Sequence, residues 1–426
     1  MAEAIFHCWE GPKLGLGSAS NRVTYGKAHP RSHPIRKTGE MLLRAALGPR
    51  HSKALDLSIM KPVGDIADAV TEFASSTGLS AFVGRHFYGA DYYEVGREKI
   101  REYAGVTQSG HPAHRFESAA RELGYSGLLA PPTFFSMAAT MIQGVLLGAF
   151  VDGSEFRSVI QTDQQTELHR PIVADDRLDC EVWIDSYRQA FGGDLIGLTS
   201  VLTDSAGLPV VTSRTRLASR ADLDERVVEE MRNVLMRSVG PTPALLHERR
   251  SGSGDGIAAS GTSREARRSN FTVDHLRSFT AIAVGAELPS RTVFLTPGDL
   301  VRYAGVSGDP NPIHWSPRIA GLLGLDSVVA QGMLTIGIGA GFVAAYLDDP
   351  GAISAYRVRL TSPVFVGTEG ATMEFGGRVK SIDRAAGTVT VVIAAKQAGR
   401  AIFGRAELTV RLHDDAGMHL RPAAPQ

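Results

Sequence analysis

The sequence predicts an α+β protein made of two copies of one unit, each a long buried helix wrapped by a curved antiparallel sheet. Three observations predict it: an internal repeat at an offset of 200 residues, an uncharged run of 21 residues in each copy, and β-branched, partly alternating stretches after each run.

The repeat begins where Tyr103-Ala-Gly-Val-Thr107 matches Tyr303-Ala-Gly-Val-Ser307, and it holds without a gap for about thirty residues. Pro112 meets Pro312, His114 meets His314, Gly124 meets Gly324 and Ala130 meets Ala330. Each copy then enters its uncharged run, residues 131–151 and 327–347. That length is enough to span a bilayer. Pro131, Pro132, Thr140 and Gln143 in the first run, and Gln331, Thr335, Gly337, Gly339 and Gly341 in the second, favour a buried central helix instead.

The wrapping follows downstream. Leu178–Tyr187, Leu195–Thr203 and Pro209–Leu217 follow the first run; Tyr356–Leu360, Thr372–Ser381, Thr388–Ala395 and Ala401–Leu412 follow the second. Turn-forming Asp-Ser-Ala-Gly, Arg-Ala-Ala-Gly and Gln-Ala-Gly segments separate them, so they read as antiparallel hairpins. One helix enclosed by such a sheet is a hot-dog unit, and two in one chain would pair side by side as a double hot-dog.

Composition sets the remaining boundaries. At 426 residues the chain has length for two or three domains, and its zero formal charge gives no reason to expect nucleic acid or an anionic membrane surface as a partner. Cys8 and Cys180 are far apart, which suggests neither a disulfide framework nor a cysteine metal site and fits a reducing cytoplasm. Histidines 86, 169, 275 and 413 show no metal spacing, so no metal and no cofactor are expected.

Residues 1–78 are basic and rich in Gly, Pro and Ser. They read as a transit-like leader, a disordered tail, or sequence upstream of a later start at Met41 or Met60, and are expected to be disordered and dispensable. The first unit is expected over 79–220, a flexible linker over 221–278 that opens with an amphipathic helix at Leu223–Val239, the second unit over 279–414 and a tail over 415–426. Gly15-Leu-Gly17 follows no strand and opens no helix, and Gly337, Gly339 and Gly341 read as close packing of a helix on the sheet, so neither is a phosphate loop. Lys396 and Arg405 lie on outer strands, where an exposed solvated face is a simpler reading than contact with an acidic partner.

The stretch that bears chemistry is Gly308-Asp309-Pro310-Asn311-Pro312-Ile313-His314. Two prolines and a glycine exclude a regular helix or strand, leaving a stiff loop that holds a carboxylate and an imidazole five residues apart. Thr296-Pro-Gly-Asp299 has the pattern of a helix start, so a short helix from Pro297 to Ala304 is expected to deliver the chain into this loop. On residue types alone the pair reads either as an acid–base dyad or as a turn cap beside a core histidine.

Together with Val328-Val-Ala-Gln-Gly332-Met333, this motif resembles the signature of the MaoC-like (R)-specific enoyl-thioester hydratases and dehydratases over nearly all of 279–412. Residues 80–220, through Tyr92-Tyr-Glu-Val-Gly-Arg-Glu-Lys-Ile-Arg-Glu-Tyr-Ala104 and Gly127-Leu-Leu-Ala-Pro-Pro-Thr133, resemble the non-catalytic subunit of the actinobacterial (3R)-hydroxyacyl-acyl-carrier-protein dehydratase, and the second unit resembles its catalytic partner.

The resemblance implies reversible syn elimination of water from a (3R)-hydroxyacyl thioester, with acyl carrier protein or coenzyme A as the thioester's carrier. It implies His314 as base at C2 and Asp309 as partner of the C3 hydroxyl, with the reverse assignment open. If the buried helix begins at Gly332, the backbone N–H there would face the thioester carbonyl, while Asn311 would order the turn. Gln331 departs from the histidine common beside this glycine in the family. The first copy has Ser109, His111 and Pro132 at the positions of Asp309, Asn311 and Gly332. Proline has no N–H, so His114 would stand without a partner and the first unit is expected to be silent, contributing pocket wall and interface.

Overall fold

The computed structural model describes residues 79–89, 91–150, 159–190, 193–220, 224–234, 247–248, 283–347 and 349–411. Expectations for the leader, most of the linker, the tail, His275 and His413 lie outside these residues.

The first unit runs β1 (His86–Tyr88), β2 (Tyr93–Glu94), α1 (Arg97–Val106), α2 (Glu117–Glu122), α3 (Ser136–Phe150), β3 (Ile160–Leu168), β4 (Arg177–Ala190), β5 (Gly193–Thr203) and β6 (Pro209–Arg220). Two short elements follow, α4 (Glu225–Val234) and β7 (His247–Glu248). The second unit repeats the plan with β8 (Glu287–Leu295), α5 (Pro297–Ser307), α6 (Pro317–Leu322), β9 (Val328–Val329), α7 (Gly332–Leu347), β10 (Ile353–Leu360), β11 (Phe365–Val366), β12 (Ala371–Asp383), β13 (Thr388–Gln397), β14 (Arg400–Ala401) and β15 (Phe403–Arg411).

The fold is an α+β double hot-dog. The two sheets join through an antiparallel pairing of β3 with β10, in which Tyr356 faces Thr166 and Val358 faces Gln164, to make one sheet of thirteen strands. Each long helix lies against its own half. In α7 a continuous row from Leu334 to Ala344 is buried, which explains why the run carries no charge on any face. At the junction Tyr103 and Tyr303, matched residues of the repeat, sit with ring centroids 6.2 Å apart. No described helix is long and apolar enough to cross a membrane.

Several expectations are corrected by these elements. Strands β3 and β8 were not predicted: Ile160–Leu168 reads IQTDQQTEL, without an apolar alternation. Ala401–Leu412 is interrupted at Ile402, and α5 extends past Ala304 to Ser307 before Gly308, at φ +75°, ends it. The linker is ordered in part, since α4 buries Met231 and β7 pairs with β1. Only Gly339 of the three helix glycines meets the sheet, toward Ile393, Phe403 and Phe375. Gly337 and Gly341 instead face Thr107, Ser109 and Thr133 of the first unit.

Candidate active site

Helix α5 starts with a full capping box: Asp299 N–H donates to Thr296 Oγ1, and Asp299 Oδ2 accepts from the Thr296 N–H. The left-handed Gly308 then turns the chain into the motif loop. There Asp309 Oδ1 accepts from the Asn311 N–H at 3.1 Å, and Asn311 Oδ1 accepts from the Ile313 N–H at 3.3 Å. These are the local side-chain-to-backbone bonds that Asp and Asn make in turns. Prolines 310 and 312 supply no competing donor, so the loop is locked from within.

Asn311 also reaches outward. Its Nδ2 donates to the carbonyl of Val159, 3.1 Å away, at the entry to β3 of the first unit. Sequence reading found the local role and missed this one, since nothing in the residues around Val159 marks a partner for the loop.

His314 closes a short 3-10 turn and is buried. Its Nδ1 lies 2.7 Å from the carbonyl oxygen of Val329. A carbonyl only accepts, so Nδ1 carries a proton, and the tautomer this fixes is the one whose lone pair is on Nε2. That Nε2 lies 3.5 Å from Asp309 Oδ2, the carboxylate oxygen left free by the Asn311 bond. The loop therefore brings together the two groups named from the sequence. Behind it, burial first, then Tyr103 and the Asp309 charge, hold the Tyr303 phenol protonated far above the ordinary tyrosine range.

Gly332 is the first residue of α7, so its N–H and those that follow are unpaired within the helix. A Cβ placed there would come 2.5 Å from Gln161 Oε1 and 2.9 Å from Leu360 Cδ1, so any side chain would fill the space at the helix start. Beside it, Gln331 donates from Nε2 to the Leu300 carbonyl at 3.1 Å, and its buried Oε1 has no partner. Gln161, from the strand that sequence reading missed, completes this corner with Met333 Sδ 3.5 Å from its Nε2.

The first copy keeps the scaffold without the carboxylate, with Ser109 at the position of Asp309. His114 Nδ1 lies 2.7 Å from the Leu129 carbonyl, repeating the His314 bond at the same offset. Burial pushes this imidazole down to about 4. Ser109 is buried and shares a hydrogen bond with Thr107. Helix α3 starts at Ser136, four residues beyond Pro132, so no helix start lies where Gly332 heads α7.

Two family models match the chain: residues 81–213 the FAS1-like dehydratase domain region, and residues 281–397 the MaoC like domain. A solved MaoC-like dehydratase is 40% identical, with a TM-score of 0.69, over 79% of this chain and all of that one. The chain belongs to the MaoC-like dehydratases. Among curated relatives, a UPF0336 protein of Mycobacterium tuberculosis strain H37Rv is 40% identical over 147 residues, 34% of this chain and 93% of its own length. A conserved hypothetical protein from Mycobacterium tuberculosis with a double hotdog fold aligns at TM-score 0.51 and 15% identity, over 79% of this chain and 97% of that one, a likeness of fold.

Proposed function

We propose that the chain is a (3R)-hydroxyacyl thioester dehydratase that reversibly removes water to give the trans-2-enoyl thioester, and that its carrier is acyl carrier protein in fatty-acid elongation. The observation that carries this reading is the 3.5 Å approach of His314 Nε2 to Asp309 Oδ2, on a loop that adjoins the start of a buried helix. The carrier assignment rests on the resemblance of the two halves to the two subunits of a carrier-protein dehydratase. Two cysteines in the whole chain suit a cytoplasmic enzyme.

The residues divide the work as follows. His314 Nε2, with its lone pair set by the Val329 bond, takes the C2 proton. Asp309, in its carboxylic-acid form, gives a proton from Oδ2 to the C3 hydroxyl; the C3–O bond breaks to release water as the C2–H electron pair forms the C2=C3 bond. The proton held by His314 returns to Asp309 across the 3.5 Å between them, and hydration reverses each transfer. Negative charge on the thioester oxygen is received by the Gly332 N–H and the positive end of α7. The first unit is silent in this reading, because Ser109 and Pro132 replace the acid and the oxyanion donor.

Separate Asp309→Asn and His314→Ala variants test the assignment with 3-hydroxyacyl thioesters on carrier protein and on coenzyme A. Each is expected to lower kcat by about 10²- to 10⁴-fold, the contribution of a positioned acid or base. Turnover untouched by either change would remove the assignment, and a preference for the coenzyme A thioester would replace the carrier reading with an (R)-specific enoyl-CoA hydratase.

A further inference from the structure

The wall that the first unit presents to Gly332 is polar. Gln161 Oε1 stands against the glycine, and from there hydrogen bonds lead inward. Gln161 Nε2 donates to Gln164 Oε1 at 2.8 Å, and the same oxygen accepts from Thr215 Oγ1 at 2.9 Å. Gln164 Nε2 donates to Thr166 Oγ1 at 2.9 Å and to Ser213 Oγ at 2.8 Å. Gln164 is 2% exposed and Thr166 0%, so the inner part of this network is sealed from water behind the half-buried Gln161. Beyond it, paired with Thr166 across the unit junction, lies the buried Tyr356.

A substrate whose reacting carbons lie among Asp309, His314 and Gly332 must send the carrier arm of its thioester out to solvent. Its acyl tail then takes the inward direction, and meets Gln161 and Gln164. To pass, a long tail must part Gln164 from its partners in a dry interior, where each polar group left unpaired keeps its full desolvation cost. A buried methylene returns less than the loss of one such group costs. Parting even two or three of these groups offsets the gain from several methylenes, so added tail length is not rewarded here.

We propose that Gln161 and Gln164 of the first unit end the acyl pocket and restrict the enzyme to short-chain 3-hydroxyacyl thioesters. This rests on the dehydratase reading above. It also gives the silent unit a direct part in substrate choice, through specificity residues that do not touch the reacting atoms.

The test compares kcat/KM for 3-hydroxybutyryl and 3-hydroxydodecanoyl thioesters of one carrier, using the full chain. Wild type is expected to favour the shorter by more than about tenfold, and Gln161→Ala combined with Gln164→Leu to raise the long-to-short ratio by about tenfold or more. Thermal unfolding reports whether the double variant folds; if it does not, Gln161→Ala alone, at the half-buried mouth of the network, is expected to move the ratio in the same direction. A wild type indifferent to length, or a ratio unmoved in a folded variant, overturns the stop while leaving the dehydratase reading intact. Absence of turnover at every length overturns the dehydratase reading, and this proposal with it.

Discussion

Asn311 donates its side-chain N–H to the carbonyl of Val159 across 3.1 Å and 152 residues of sequence, so the loop that carries the dyad is held by the unit that lacks one. The same side chain accepts from Ile313, which fixes its rotamer from the other side.

Asn311→Ala removes both bonds at once. The loss of two partly buried hydrogen bonds is expected to cost about 1–3 kcal/mol in stability. Because the loop then sits loosely under the acid and the base, kcat is expected to fall about tenfold or more with KM changed less. Asn311→Asp keeps the acceptor toward Ile313 but turns a carboxylate toward the Val159 carbonyl, and should fall at least as far. Steady-state kinetics with chemical denaturation of the same variants checks this; full activity in Asn311→Asp would show that the contact between units does not position the loop.

The histidine of the first copy makes a prediction about pH. Burial holds His114 at about 4, while the Leu129 carbonyl bond acts the other way, against an ordinary value near 6.5. Above the ordinary value both folded and unfolded chains carry it neutral, and stability is complete. As pH falls from there toward 4 the unfolded chain binds a proton that the folded chain refuses. Stability therefore declines across that window, by at most about 3 kcal/mol from this group. His114→Asn retains an N–H toward Leu129 without a titrating ring. It is expected to be less stable than wild type at pH 7 and to lose less on going to pH 5, in urea unfolding at the two values. An equal loss in both proteins would assign the acid sensitivity elsewhere.

The legible parts of this molecule are those whose causes are local. Asp309, His314 and Gly332 stand out because a loop with Pro310 and Pro312, followed by a helix start, leaves few backbone conformations open. The helix start at Thr296 was readable for the same reason. Strand β3 was not, because a strand is recognised from an apolar period of two, and its inward positions are Gln161, Gln164 and Thr166. Their burial is affordable only through hydroxyls on β6, whose arrival opposite them is a fact of tertiary structure. The contact of Asn311 with Val159 was hidden likewise, since a backbone carbonyl has no sequence signature. The helix glycines were read as packing on the sheet, which holds for Gly339; the partner of Gly337 and Gly341 is the other unit, which a repeat offset does not reveal.

That partner makes the helix glycines testable. An alanine in an exposed helix interior is favoured over glycine by about 1 kcal/mol, so each substitution in α7 sets a propensity gain against a steric loss. A Cβ at Gly341 would meet Ser109 Oγ at 2.9 Å with nothing else closer than 3.9 Å, whereas a Cβ at Gly337 would meet Thr133 Oγ1 at 2.9 Å and Thr107 Cγ2 at 3.1 Å. The serine hydroxyl is one atom on a small side chain, but two β-branched threonines have little rotamer freedom to yield. Gly337→Ala is therefore expected to destabilise by about 1–3 kcal/mol, and Gly341→Ala by less. Adding Ser109→Ala removes the single close atom at Gly341, so the pair Ser109→Ala with Gly341→Ala should be more stable than the sum of its single changes, a favourable coupling of about 0.5 kcal/mol or more. Denaturant unfolding of the four proteins measures that coupling. Strict additivity would mean that α7 does not rest on the first unit's loop, and that the buried Ser109 position, where the second unit has Asp309, is not closed by contact with this helix.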